Sequence, residues 1–242
     1  MPTPSQAYAA NLTRGGVVCR GVTPPSRNGA KRMRRVVLVL VAMALALLVV
    51  SGVAWAVNKI GTDGPDTLRG TNGDDNLLGR GGQDNIFSLD GTDNLEGGMG
   101  KDNVLAGDER RYGRGDKNLL GGPGNDLVFG GWSSDKVVGE EGNDFLADGP
   151  PRDVALDILS GGAGTDVIPV ASLRLEATAK DIVTCGSGFD RVWADTKDVV
   201  APDCEKVVLF RGGSASEYFD ELDEFFAEVP PSFFEGLPPG FS

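Results

Sequence analysis

Aspartate recurs along this chain at a fixed spacing. It stands at Asp66, Asp75, Asp84, Asp93 and Asp102, then at Asp126, Asp135 and Asp144, then at Asp157 and Asp166, and last at Asp181 and Asp190. Within each group the interval is nine residues. Two positions after each aspartate comes an aliphatic side chain: Leu68, Leu77, Ile86, Leu95, Val104, Val128, Val137, Leu146, Leu159, Ile168, Val183, Val192. Carboxylates set among glycines, with turn carbonyls beside them, are hard oxygen ligands. Such a set suits Ca²⁺, which takes about six to eight oxygens in flexible geometry, better than Mg²⁺, which demands a strict octahedron and keeps its water. The chain has no His and three Cys, which argues against zinc and soft-metal sites.

The elements that position these aspartates follow from the phrase around them. Five copies run without a gap: GTDGPDTLR from Gly61, GTNGDDNLL from Gly70, GRGGQDNIF from Gly79, SLDGTDNLE from Ser88, GGMGKDNVL from Gly97. YGRGDKNLL, GGPGNDLVF, GGWSSDKVV and GEEGNDFLA follow from Tyr112, then RDVALDILS and GGAGTDVIP, then two looser copies. Slots one and four are mostly Gly, as needed where φ is positive or two backbones approach closely. Slots seven to nine read as a very short strand with one side chain inward, and slots one to six as a tight turn. One copy buries almost nothing, so stability must come from stacking copies into a solenoid. Parallel strands would then lie about 4.8 Å apart. Like-charged aspartates about 5 Å apart repel by about 3 kcal/mol per pair at an effective dielectric of about 20. Several such pairs exceed the roughly 5–15 kcal/mol that holds a domain folded. The ladder needs counter-charge inside it.

The phrase resembles G-G-x-G-x-D-x-U-x, the calcium-binding nonapeptide of the RTX (haemolysin-type) repeat proteins. The resemblance implies an all-β fold, a right-handed parallel β-roll in which two copies make one turn and copies n and n+2 share an edge. It implies several Ca²⁺ ions, held between stacked turns by slot-six side chains and turn carbonyls. The implied ligands are Asp66, Asp75, Asp84, Asp93, Asp102, Asp126, Asp135, Asp144, Asp157 and Asp166. Asp66, Asp84 and Asp102 would line one edge, Asp75 and Asp93 the other, and Asp126 would stack with Asp144. Lys117 puts an ammonium in slot six, so its site should be vacant, with Asp135 as a candidate partner for the charge. Ser133 and Ala155 replace the slot-four Gly, and Ser88 and Leu89 the opening pair. Insertions at 106–111, 148–151 and 170–180 should bulge outward. About five to eight sites are expected to fill.

A Gly- and Asp-rich disordered linker is the rival reading, since high charge with low hydrophobicity opposes folding. The phase-locked aliphatic slot argues against it. The two readings can also be two states of one chain, unfolded without metal and folded with it.

Ahead of the repeats, Arg34-Arg35, an apolar run over 36–50 and the A-x-A exit before Val57 read as a bacterial Sec-type signal peptide over 33–56, after an upstream extension over 1–32. A retained anchor is the alternative, because 36–57 is long enough to span a bilayer. The chain carries 23 basic side chains, seven of them before Val57, and 35 acidic ones, none of them before Val57. The formal charge of the part from Val57 onward is −19. Phosphate binding needs a basic face, so nucleic acid is excluded as a partner.

Cys185 and Cys204 are an even pair beyond the leader, and an oxidising compartment would join them. The roll is expected over 57–193, with a short disulfide-stapled C-terminal cap over 194–211. Closing that loop should stabilise by about 3 kcal/mol. Val207, Val208, Leu209 and Phe210 offer a covering strand. Residues 212–242 read as an acidic, aromatic, mostly disordered tail. Within it Ser214 to Glu217 fits a capping box, and Phe219, Leu222 and Phe226 share a helical face.

Catalysis finds no footing. Without His there is no Ser-His-Asp triad and no HExxH site, and neither a GxSxG elbow nor a GxxxxGK[ST] loop is present. The aspartates are accounted for by the repeat. A pore-forming toxin would need long amphipathic or apolar helices before the roll, and the chain expected after cleavage begins almost directly at the first repeat. Arg114-Gly115-Asp116 is a tripeptide that chance readily supplies in a Gly/Asp repeat. The expected protein is secreted, non-catalytic and monomeric, and binds calcium for a structural or interaction role. A calcium-dependent surface adhesion protein with a cell-envelope partner is the alternative.

Overall fold

The structure, a computed structural model, describes residues 56–108, 111–112, 114–115, 117–150, 155–171 and 180–231. The upstream extension, the leader and its anchor alternative up to residue 55, residue 151 of the second insertion, most of the third insertion and residues 232–242 lie outside them. Among the described residues no helix is long and apolar enough to cross a membrane.

Eighteen strands run in chain order: β1 (Asn58–Ile60), β2 (Thr67–Arg69), β3 (Asn76–Gly81), β4 (Asn85–Phe87), β5 (Asn94–Met99), β6 (Asn103–Leu105), β7 (Gly107–Asp108), β8 (Arg111–Tyr112), β9 (Asn118–Leu120), β10 (Leu127–Phe129), β11 (Lys136–Glu141), β12 (Phe145–Ala147), β13 (Ile158–Gly164), β14 (Val167–Pro169), β15 (Ile182–Gly188), β16 (Arg191–Asp195), β17 (Val199–Val200) and β18 (Lys206–Phe210). Sixteen of them, all but β7 and β8, wind alternately into two parallel eight-stranded sheets. The first is ordered β1-β3-β5-β9-β11-β13-β15-β17, the second β18-β16-β14-β12-β10-β6-β4-β2. The architecture is a parallel β-roll with two copies per turn.

Register is set by slot eight. Leu77 pairs with Leu95, Leu95 with Leu119 and Leu119 with Val137 in the first sheet. Ile86, Val104, Val128 and Leu146 align in the second. All eight are at most 1% exposed and belong to one apolar column between the sheets. Each such side chain, once buried, contributes on the order of 1.5–3 kcal/mol. A slip of one residue would turn the column outward, so the aliphatic slot fixes the stack.

The strands differ from the expected three-residue pattern on one side. In the second sheet they mostly keep to slots seven to nine. In the first sheet β3, β5 and β11 span six residues and β13 and β15 seven, running on into the opening slots of the next copy. The first insertion is an antiparallel hairpin, β7 with β8, rather than an irregular bulge.

The C-terminal end also departs from expectation. β17 and β18 join the sheets in register, Val200 beside Val183 and Val207 beside Val192. The roll therefore continues through Phe210, and β18 extends the second sheet instead of lying across its open end. Cys185 and Cys204 form the expected disulfide, with Cα atoms 5.2 Å apart, and both sulfurs sit in the apolar column.

The segment after Gly212 is in part ordered. α1 (Ala215–Ala227) begins at the capping box on Ser214 and Glu217. Its inward face is Tyr218 and Phe225 with Leu222 and Phe226 beside them, Val229 is buried with them just past the helix end, and Phe219 is half exposed. That face packs on the outer side of the second sheet, against Leu127, Phe145, Val167, Trp193 and Phe210. The Tyr218 and Trp193 rings lie 4.7 Å apart, and Tyr218 Oη donates to the Ala171 carbonyl at 2.8 Å. Burial raises the Tyr218 phenol well above its ordinary range, with the nearby Asp148 charge adding to it.

Candidate metal centre

The sixth slot falls where the chain turns from one sheet into the other, so its side chains stack along two edges. On the first edge each backbone amide donates to Oδ1 of the next rung. The links run Asp66 to Asp84, Asp84 to Asp102, Asp102 to Asp126, Asp126 to Asp144, Asp144 to Asp166 and Asp166 to Asp190, at 2.8–2.9 Å. Glu205 ends this series by accepting from the Asp190 amide. On the second edge Asp75 donates to Asp93, Lys117 to Asp135, Asp135 to Asp157 and Asp157 to Asp181. Asp198 ends it, accepting from Asp181 at 3.1 Å. The edges thus group Asp66, Asp84 and Asp102 apart from Asp75 and Asp93, as expected.

One oxygen of each rung is used by this ladder, and the other is not. Oδ2 of Asp84, Asp102, Asp126, Asp144, Asp166 and Asp190 is buried with no hydrogen-bond donor. A buried carboxylate oxygen without a donor or cation is costly. The titration behaviour reflects that cost. Burial pushes Asp126 up to about 8; the Asp102 amide partly offsets this, and the charges of Asp144 and Asp102 add to it. Asp144 and Asp166 are pushed to about 7 and Asp102 to about 6, again by burial first. Asp84 and Asp190 move upward for the same reason.

Glycine serves the two turn slots differently. At slot one φ stays ordinary and the reason is space. A Cβ on Gly79 would lie 2.3 Å from Asp84 Oδ2 and equally close to the Gly97 carbonyl oxygen. At slot four the backbones themselves touch: Gly142 has φ +139° and its Cβ would sit 1.3 Å from the Gly124 carbonyl oxygen. The turns are therefore lined by carbonyl and carboxylate oxygen and by little else. That donor set, with an unsatisfied anionic oxygen in each first-edge rung from Asp84 onward, fits a hard cation.

Not every rung is alike. In the first two copies the slot-two threonines give Oδ2 a donor. Thr62 donates its amide and hydroxyl to Asp66 Oδ2, and Thr71 does the same for Asp75. Lys117 is buried, and its ion pair is with Asp93 Oδ2 at 3.2 Å, not with Asp135; it gives Asp135 only its backbone amide. Asp148, outside the repeat phase, brings a carboxylate oxygen within 4.8 Å of those of Asp157 and Asp181.

Sequence reasoning passed over Asp198, Glu205 and Asp148. Two of them carried a signal: Asp198 precedes Val200 by two, and Glu205 precedes Val207 by two, the spacing of slots six and eight. Asp148 carried none, because an insertion places it.

Comparison with known families decides the nature of the repeat. The RTX calcium-binding nonapeptide repeat matches in four copies, over residues 60–95, 113–146 and 157–168. These stretches are RTX calcium-binding nonapeptide repeats. RTX repeats bind Ca²⁺, and the buried aspartates of this RTX roll fit several ions. No curated protein and no solved structure matches the chain.

Proposed function

We propose that this chain is a secreted calcium-binding protein whose RTX roll folds outside the cytoplasm and serves a structural or interaction role without catalysis. Asp66, Asp75, Asp84, Asp93, Asp102, Asp126, Asp135, Asp144, Asp157 and Asp166 are the proposed slot-six ligands, joined by turn carbonyls. The observation that carries the reading is the row of buried Oδ2 atoms from Asp84 to Asp190 that meet no donor. Bound Ca²⁺ would supply the counter-charge that row lacks, and sites of this kind outside cells are often tuned to about 10⁻⁴–10⁻³ M. The chain would cross the membrane unfolded and fold on meeting calcium.

Circular dichroism of residues 57–242 tests this. Millimolar Ca²⁺ should convert coil to β-structure, and Mg²⁺ should not replace it. An EDTA-treated sample as ordered as the calcium-loaded one refutes the reading.

A surface-interaction role is the second reading. It is favoured by the apolar side chains left open at the last turns, Phe189, Val199, Val207 and Leu209. Retention on cell envelope that a chelator abolishes would support it, and free release into the medium would not.

A further inference from the structure

Lys117 is the one slot-six residue with a positive charge, and oxygen surrounds it. Its Nζ donates to the carbonyls of Gly91 at 2.8 Å, Arg114 at 3.1 Å and Gly115 at 3.1 Å. The Asp93 carboxylate stands 3.2 Å away, and both side chains are fully buried. A buried ammonium is tolerated only when its charge is paired and its three protons have acceptors. All of that is met here.

The four acceptors occupy regular positions of the repeat. Gly91 and Gly115 are slot four of two stacked copies, Arg114 is slot three, and Asp93 is slot six of the copy beneath. The ammonium therefore draws on the same kinds of oxygen that line the other turns. The charge arithmetic agrees. Replacing one aspartate of a stacked pair by lysine changes the local charge by two units, as much as one divalent cation adds. Asp93 with Lys117 is neutral, as two aspartates with one Ca²⁺ would be. The ladder resumes beyond this rung, since the Lys117 amide still donates to Asp135 Oδ1 at 2.8 Å, but Lys117 itself has no carboxylate to receive an amide from below.

We infer that the Lys117 ε-ammonium is a tethered substitute for calcium, which closes the turn between Asp93 and Lys117 without an ion. This turn is held by the chain alone and binds no metal. It divides the second edge, leaving Asp75 and Asp93 on one side and Asp135, Asp157, Asp181 and Asp198 on the other. The inference rests on the reading of the remaining turns as calcium sites.

The full chain tests it in two ways. Calorimetry first counts the calcium bound by the wild type, and then by Lys117→Asp, which restores the repeat. One additional ion per chain is expected. If the wild type binds none, the calcium reading falls and takes this inference with it; if the wild type binds calcium and Lys117→Asp binds the same number, this inference alone is overturned. Should the variant not fold, amine acetylation of the calcium-loaded wild type decides. Lys117 should react at least tenfold more slowly than the exposed Lys59 and Lys136, and equal reactivity would show that its amine is not held in the turn.

Discussion

The backbone amide of Asp102 donates to Oδ1 of Asp126 at 2.8 Å across 24 residues of sequence. The neighbouring links on that edge, Asp84 to Asp102 and Asp126 to Asp144, each span 18. The six additional residues leave the roll as the hairpin β7–β8, and the edge closes as though they were absent. A buried amide requires an acceptor, and the next rung provides the one in reach. The loop costs little because closure entropy grows only slowly with length.

Asp144→Asn separates the two roles of a rung. Asparagine keeps an oxygen for the Asp126 amide, and its nitrogen would stand where Oδ2 now does, near the Gly161 carbonyl. Without metal at pH 7.5 the variant should hold more β-structure than the wild type. With calcium it should bind at least one ion fewer. Dichroism and calorimetry read the two effects, and a variant that loses order in EDTA would contradict the account of the ladder.

Acidity should stand in for calcium. Asp126 titrates near about 8 and Asp144 and Asp166 near about 7 in the metal-free fold, against about 3.9 for an unfolded aspartate. Between those limits the folded chain holds more protons than the unfolded one, so stability falls as pH rises from about 4 to about 8. EDTA-treated protein should therefore be most ordered near about pH 4.5 and lose β-structure toward pH 8. Calcium affinity should climb over the same interval as protons are displaced. A metal-free dichroism spectrum that does not change across this range would falsify the assignment.

Gly142→Ala should prevent stacking at its turn. The new Cβ would fall 1.3 Å from the Gly124 carbonyl oxygen, a backbone atom that cannot rotate away. The positive φ adds strain. We expect loss of the calcium-induced β-signal or a large drop in melting temperature. A variant as stable as the wild type would show that the copies do not pack this closely.

Removing residues 213–242 should uncover the outer face of the second sheet. Trp193 is 1% exposed and lies against Tyr218 and Phe225 of α1. Its fluorescence should shift to the red, and the protein should become prone to association through Phe145, Trp193 and Phe210. An unchanged emission maximum would mean that the helix does not cover this face.

The sequence by itself determined the repeat, and with it the roll. A carboxylate at slot six and an aliphatic at slot eight admit one stacking register, because any other exposes the column or buries charge without order. The edge grouping of Asp66, Asp84 and Asp102 was legible for that reason. What lay outside the phase was not. Slot seven in the second sheet changes from Thr67, Asn85 and Asn103 to Leu127, Phe145 and Val167, a trace of the docked helix visible once the two sheets are told apart. The pairing of Lys117 with Asp93 and the docking of Tyr218 and Phe225 were decided by tertiary structure. A local pattern fixes which residues share an edge or a face; only the packed chain fixes which neighbour, above or below, lies within reach of a flexible side chain, and which apolar face a distant helix finds open.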